Sequence, residues 1–165
     1  MVDLDRYSAL FRQEHPRLVA LGIALTGDRE LSLDLAQETL LRAYRSWATI
    51  ESYEAPGAWL RRVLINQMID GRRRSAVEAA ALRLRAEPEG AASGDDPMAS
   101  AWWVAVRSLP ERQRIATALY YVDDYSVDEV AAVMKVASGT VKATLAQARR
   151  SLGLMIGAQR EEGAR

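Results

Sequence analysis

Between Ser126 and Arg150 the apolar residues Val127, Val130, Ala131 and Met134 recur every three or four positions. Lys135, Val136 and Ala137 break that rhythm, and Val141, Leu145, Ala148 and Leu152 resume it. The spacing predicts a short helix, a turn of about three residues and a longer helix, which is a helix-turn-helix. Ser126 followed three residues on by Glu129 is a capping-box pattern that starts the first helix. Ala131 is small where the two helices should cross, and Val141 is placed to close the core between them. When such a motif binds DNA, the N-terminal residues of the second helix face base edges; here these are Ser138, Gly139, Thr140, Lys142, Ala143 and Thr144. The same pattern also suits an ordinary buried helical hairpin, so the remainder of the chain has to decide.

The N-terminal half carries three further helical patterns. Leu4 to Leu25 has apolar residues near helical spacing, interrupted at His15-Pro16, and predicts one bent helix or two joined ones. Thr26-Gly27-Asp28 is a stop and restart, because Gly suits a C′ position and Asp an N-cap. The next helix, Arg29 to Trp47, is expected to bury Leu31, Leu35, Leu40 and Tyr44 and to expose Asp34, Gln37, Glu38, Arg42 and Arg45. Residues 48–58 lose the period around a Pro-Gly pair and read as a loop. A helix from Trp59 to about Arg74 then ends in three consecutive arginines, more than dipole capping at a C-terminus requires, and Arg61 and Arg62 add to that cationic run. Helical character could continue to about Arg85, but residues 87–97 have the Pro, Gly, Ser and acidic content of a linker. Beyond it, Trp102, Trp103, Val106 and Leu109 suggest a helix with the tryptophans in a small core, Glu111 to Tyr121 another, and Gly157 to Arg165 a frayed end.

Composition narrows the class. Abundant Ala, Leu, Arg and Glu, with five prolines and a single phenylalanine in 165 residues, favour helix throughout, so an all-α fold of two small domains joined by a flexible linker is expected. The expected division is 1–75, a linker at 76–98, a second domain at 99–153 and a tail at 154–165. No cysteine is present, which excludes disulfides and thiolate metal sites. No segment resembles a signal peptide or a bilayer span, and a cytoplasmic protein with no membrane partner is expected. Basic and acidic residues balance at 22 each, yet they are segregated: residues 55–75 hold five arginines against one aspartate, and residues 76–100 hold two arginines against five acids. His15, the one histidine, reads as a solvated residue beside a kink. No nucleophile, base and orienting group occur together, and no phosphate-binding glycine loop is present, so neither an enzyme nor a cofactor is expected.

With both halves in view, the chain resembles the bacterial RNA polymerase sigma factors of the extracytoplasmic-function (ECF) type. LTGDRELSLDLAQETLLRAYRSW and AWLRRVLINQMIDGRRR resemble sigma region 2, and LPERQRIATALYYVDDYSVDEVAAVMKVASGTVK resembles region 4. The resemblance implies a specificity subunit whose partners are the polymerase core, through the clamp of the β′ subunit and the β flap, and promoter DNA, with an anti-sigma factor as a further possible partner. It assigns Asp34, Gln37, Glu38 and Arg42 to clamp docking. It assigns Glu51, Ser52 and Tyr53 to capture of a flipped base of the minus-ten strand, a task that suits an aromatic ring beside hydrogen-bonding groups. Trp59, Arg62 and Asn66 would line the opened strand, and Arg72, Arg73 and Arg74 would neutralise phosphates. Ser138, Thr140, Lys142, Ala143, Thr144, Gln147 and Arg149 would meet the minus-thirty-five duplex.

Three departures from the family pattern bear on function. Leu33 stands where an acid is usual on the docking helix, and Lys135 where the turn usually has glycine. Ala143, Thr144 and Gln147 replace a more cationic run on the recognition helix. The last of these motivates an alternative of a different class, a polymerase-binding regulator or decoy with degenerate promoter recognition. A plain helix-turn-helix repressor leaves the first half without a purpose.

Overall fold

A computed structural model describes residues 4–81 and 101–162, and among these it contains eight helices and no strand. The first half comprises α1 (Leu4–Thr26), α2 (Arg29–Arg45), the single turn α3 (Trp47–Ile50) and α4 (Pro56–Ala81). The second comprises α5 (Ala101–Arg107), α6 (Glu111–Tyr121), α7 (Val127–Met134) and α8 (Ser138–Glu162). Residues 82–100, which include most of the expected linker, lie outside the described residues.

α1 runs through Pro16 as one helix and stops at Gly27, whose φ of 75° is the left-handed conformation glycine adopts without penalty. Asp28 then caps α2 by accepting a hydrogen bond from the Leu31 amide at 2.9 Å. The buried stripe of α2 differs from the expected one. It is Ser32, Leu35, Ala36, Thr39, Leu40 and Ala43, whereas Leu31 and Tyr44 are 44% and 41% exposed. The cause is a close crossing with α1: a Cβ added at Gly22 would lie 2.8 Å from Ser32 Cβ, so small and hydroxyl residues must face inward there. Ser32 is satisfied by donating to the Asp28 carbonyl, and Thr39 accepts from Gln67 Nε2 at 3.2 Å. Tyr44 lies instead edge-on against Tyr7 at 5.2 Å, near the protein surface.

α4 begins at Pro56, earlier than Trp59, and continues past Arg74 to Ala81. Leu18, Leu21, Leu25, Leu40, Ile50, Leu60 and Leu64 are fully buried, and the same apolar cluster continues into the second half through Leu119, Val130 and Val141. The two halves therefore share one core. At roughly 1.5–3 kcal/mol for each buried aliphatic side chain, a shared cluster of this size is a substantial reason for them to stay together. A second cluster of Ala105, Val106, Leu109, Ala148 and Leu152 carries Trp102 and Trp103 against it, as expected of those tryptophans.

The helix-turn-helix forms as its pattern predicts. Ser126 Oγ accepts from the Glu129 amide at 3.2 Å, and the Glu129 carboxylate accepts from the Ser126 amide at 2.7 Å. Ala131 and Val141 are both buried at the crossing. α8 extends to Glu162, through part of the tail expected to fray. Lys135 closes α7 at φ 55°, ψ 48°, a left-handed conformation that its Cβ makes unfavourable. Lys135→Gly is expected to stabilise the protein by about 1 kcal/mol and to raise its melting temperature by roughly 2–4 °C. A thermal unfolding curve that does not move upward would show that the turn carries no such strain.

Candidate nucleic-acid interface

The turn after α3 is built outward from a buried anchor. Ile50 is fully buried, Ser52 Oγ donates to the Thr49 carbonyl at 2.7 Å, and the Tyr53 amide donates to the Ile50 carbonyl at 3.0 Å. These bonds leave the Tyr53 ring 42% exposed at the tip, with Glu51 beside it and 3.7 Å from Arg6. Trp59, Arg62 and Asn66 follow at helical spacing on α4, so they share a face. Trp59 is half-buried against the core and Asn66 is exposed. Further along α4, Arg73 and Arg74 are exposed, while Arg72 reaches back to donate to the Leu25 carbonyl at 3.3 Å.

Arg62 is not open to solvent in the way a strand-lining residue should be. Its Nη2 donates to the Ala132 carbonyl at 2.8 Å and its Nε to the Val133 carbonyl at 3.4 Å, both in the last turn of α7. The end of a helix offers unpaired carbonyls and partial negative charge, and a guanidinium satisfies both.

Arg61, counted from sequence in the cationic run, is 1% exposed. Its Nη2 and Nε reach the two carboxylate oxygens of Asp123 at 2.9 and 3.1 Å, a bidentate pair joining α4 to the loop between α6 and α7. Nη1 donates to the Glu14 carboxylate on α1 and to the Gly57 carbonyl at 3.3 Å, and the guanidinium lies 5.3 Å from the centre of the Tyr125 ring. Burial works against the Arg61 charge, but the hydrogen bond and Coulomb attraction of Asp123 outweigh it, so its pKa rises above the ordinary arginine value. Burial pushes the Asp123 carboxyl upward while Arg61 draws it down. The net effect raises the Asp123 carboxyl, while the guanidinium keeps its charge. Burial also lifts the Tyr125 hydroxyl to about 12.

Two other surfaces complete the picture. Asp34, Gln37, Glu38 and Arg42 lie on one face of α2, opposite its packed stripe, with Glu38 and Arg42 joined at 2.9 Å. On α8, Thr140, Lys142, Ala143, Gln147 and Arg149 are exposed, whereas Ser138 is held by Asp128 of α7. Thr144 donates to the Thr140 carbonyl at 2.8 Å, so its hydroxyl is spent within the helix. Arg149 is tethered by the Tyr121 hydroxyl at 3.2 Å and lies 5.7 Å from the Tyr120 ring centre. Among the described residues no helix is long and apolar enough to cross a membrane.

Residues 10–77 match the family Sigma-70 region 2, and residues 100–152 match Sigma-70 region 4. This chain belongs to the ECF sigma factors. It is 30% identical over 155 residues to the ECF RNA polymerase sigma factor SigM of Mycobacterium tuberculosis, covering 93% of this chain and 79% of that one. It is 33% identical over 149 residues to the RNA polymerase sigma-E factor of Streptomyces coelicolor, covering 90% and 84%. The sigma factor RpoE of Bartonella quintana, solved in complex with the anti-sigma factor NepR, shares its fold at a TM-score of 0.74 and 24% identity over 93% of this chain and 98% of that one. An ECF sigma factor serves promoter-specific transcription initiation and is not itself an enzyme. Sequence reasoning missed Arg61 and Asp123 as a pair. The one local signal was that Arg61 falls on the apolar side of α4, three residues before Leu64 and one after Leu60.

Proposed function

We propose that this sigma factor docks on the β′ clamp of RNA polymerase through Asp34, Gln37, Glu38 and Arg42 and on the β flap through region 4. It then captures the melted minus-ten strand with the turn bearing Glu51, Ser52 and Tyr53. The observation that carries this reading is the presentation of Tyr53. An exposed ring at the tip of a rigid turn adjoins a helix face with Trp59, Arg62 and Asn66 that leads to Arg72, Arg73 and Arg74. A base leaving its stack needs a π surface, and the strand it leaves needs cations for its phosphates. Region 4 reads the minus-thirty-five duplex through Ser138, Thr140, Lys142, Ala143, Thr144, Gln147 and Arg149. All of this takes place in the cytoplasm, and, as in the Bartonella relative, an anti-sigma protein is a fitting partner.

Runoff transcription with purified core polymerase is the test. A promoter-dependent product that is lost with Tyr53→Ala supports the reading. Core binding without product from any template supports the regulator or decoy instead, which the scarcity of cations on α8 favours. Thr144→Arg with Gln147→Arg is expected to add two phosphate contacts, steepening the salt dependence of duplex binding by about 1.8 in log–log slope. Weakened binding to the native site alone would instead mark Thr144 and Gln147 as specificity residues.

A further inference from the structure

In region 4, α6 and α8 pack side by side without closing completely. Thr117 and Tyr121 lie one turn apart on α6, and Leu145, Arg149 and Leu152 share the facing side of α8. Between them is a cavity of about 190 Å³, with Trp102 of α5 as a further wall. The space follows from small residues on α8: Ala148 and Gly153 also line it, and a Cβ added at Gly153 would meet nothing within 4 Å. An apolar cavity of about 150 Å³ admits a benzene ring, so this one has room for a single ring with short substituents.

Two polar groups line the cavity at different depths. Thr117 is fully buried, and its hydroxyl has no hydrogen-bond partner among the described residues. A threonine inside a helix can donate to the carbonyl four residues back, as Thr144 does, and a buried hydroxyl without any partner is costly. Arg149 lies at the exposed rim. Its Nε donates to the Tyr121 hydroxyl at 3.2 Å, its guanidinium stands 5.7 Å from the centre of the Tyr120 ring, and among the described residues it pairs with no carboxylate. The Tyr121 ring is in turn edge-on to Trp102 at 5.5 Å. The tyrosines thus hold a planar cationic fork at the mouth of an aromatic-walled slot, and the inner wall of that slot carries an unsatisfied hydroxyl.

We propose that this cavity binds a small aromatic carboxylic acid bearing a hydroxyl on its ring. The ring fills the space beside Trp102, the carboxylate pairs with Arg149, and the ring hydroxyl gives Thr117 the partner it lacks. The site goes beyond the promoter-reading function, which needs no such ligand. One consequence does rest on that function: a bound acid occupies Arg149 and weakens its contact with the minus-thirty-five duplex.

Titration of the full chain with para-hydroxyphenylacetate, followed by chemical shifts in nuclear magnetic resonance, tests the site. Saturable binding with a dissociation constant below about 1 mM is expected. Phenylacetate, which lacks the hydroxyl, and the corresponding neutral alcohol, which lacks the charge, should each bind about tenfold more weakly. Acetate, without a ring, should not bind. Thr117→Val keeps the shape of the side chain and is expected to erase the difference between the hydroxylated and plain acids. If Thr117 were merely structural, the substitution would alter thermal stability and leave that ratio unmoved. Arg149→Gln is expected to erase the difference between the acid and its alcohol, and because Arg149 is exposed it tests the site even where Thr117→Val disturbs the core. No saturable shift up to about 10 mM acid, or unchanged ratios in well-folded variants, would overturn the proposal. Binding of the acid that leaves the affinity for promoter duplex unchanged would uphold the site and remove Arg149 from the duplex interface, so the two failures are distinguishable.

Discussion

Replacing Arg61 with alanine is expected to destabilise the packed chain by about 3–5 kcal/mol, the usual cost of breaking a buried ion pair from one side. The size of the effect comes less from the lost attraction than from what is left behind. The Glu14 and Asp123 side chains are 6% and 1% exposed and share the Arg61 guanidinium, with the exposed Arg17 as a more distant cation 4.0 Å from Glu14. With a urea slope of about 2 kcal/mol per molar, the unfolding midpoint should fall by roughly 1.5–2.5 M. If the loss comes from stranded charge, the triple variant Arg61→Met, Glu14→Gln, Asp123→Asn should recover most of it, because a neutral replacement of a whole buried ion set is often tolerated. A midpoint for Arg61→Ala within a few tenths of a molar of the wild-type value would refute the buried bridge.

The second large effect concerns phosphate. Substituting alanine for Arg72, Arg73 and Arg74 together should weaken promoter engagement across all promoters alike and flatten its dependence on salt. Each phosphate contact to a single strand contributes about 0.7 to the log–log slope. Arg72 is partly spent on the Leu25 carbonyl, so two to three contacts are at stake. A fourfold rise in salt should then narrow the gap between wild type and variant by roughly 7- to 18-fold. Titrations of the holoenzyme against two unrelated promoters at several salt concentrations would show it. A defect confined to one promoter, or an unchanged slope, would mean that these arginines do not act through phosphates. The balanced total charge sharpens the prediction, since 22 cations against 22 anions leave little general attraction to DNA outside this run.

How much of this was legible in the sequence differs from element to element. The helix-turn-helix was readable nearly to the residue, because its signals are local: a hydroxyl cap with its reciprocal carboxylate, a small residue at the crossing and a break at Lys135. The start of α2 was equally clear at Gly27-Asp28. Its inward face was misread because hydrophobic periodicity favours Leu31 and Tyr44, whereas a close helix crossing selects for size and buries Ser32 and Thr39 with their hydroxyls satisfied. Arg61 was misread for a deeper reason. A charged residue in a cationic run gives no local sign of burial, and the carboxylates that neutralise it lie 47 and 62 positions away. The packing of the two regions on each other was invisible for the same reason: linker composition describes the connection and not the surfaces it joins. Of the interface residues, those at the start of α8 follow from helix-turn-helix geometry and Tyr53 and the arginine run carry a chemical argument of their own, whereas the others rest on family likeness.

The tight crossing of α1 and α2 also bears on the order of events at a promoter. Gly22 and Ser32 leave α2 no room to roll, and the bonds around Asp28 fix its first turn. The face of α2 that carries Asp34, Gln37, Glu38 and Arg42 is thus held in one orientation before any partner arrives. A surface already in its bound shape forfeits little conformational entropy on association. Docking there, as proposed above for polymerase, then waits on no rearrangement of α2, so the face meets its partner as a rigid body.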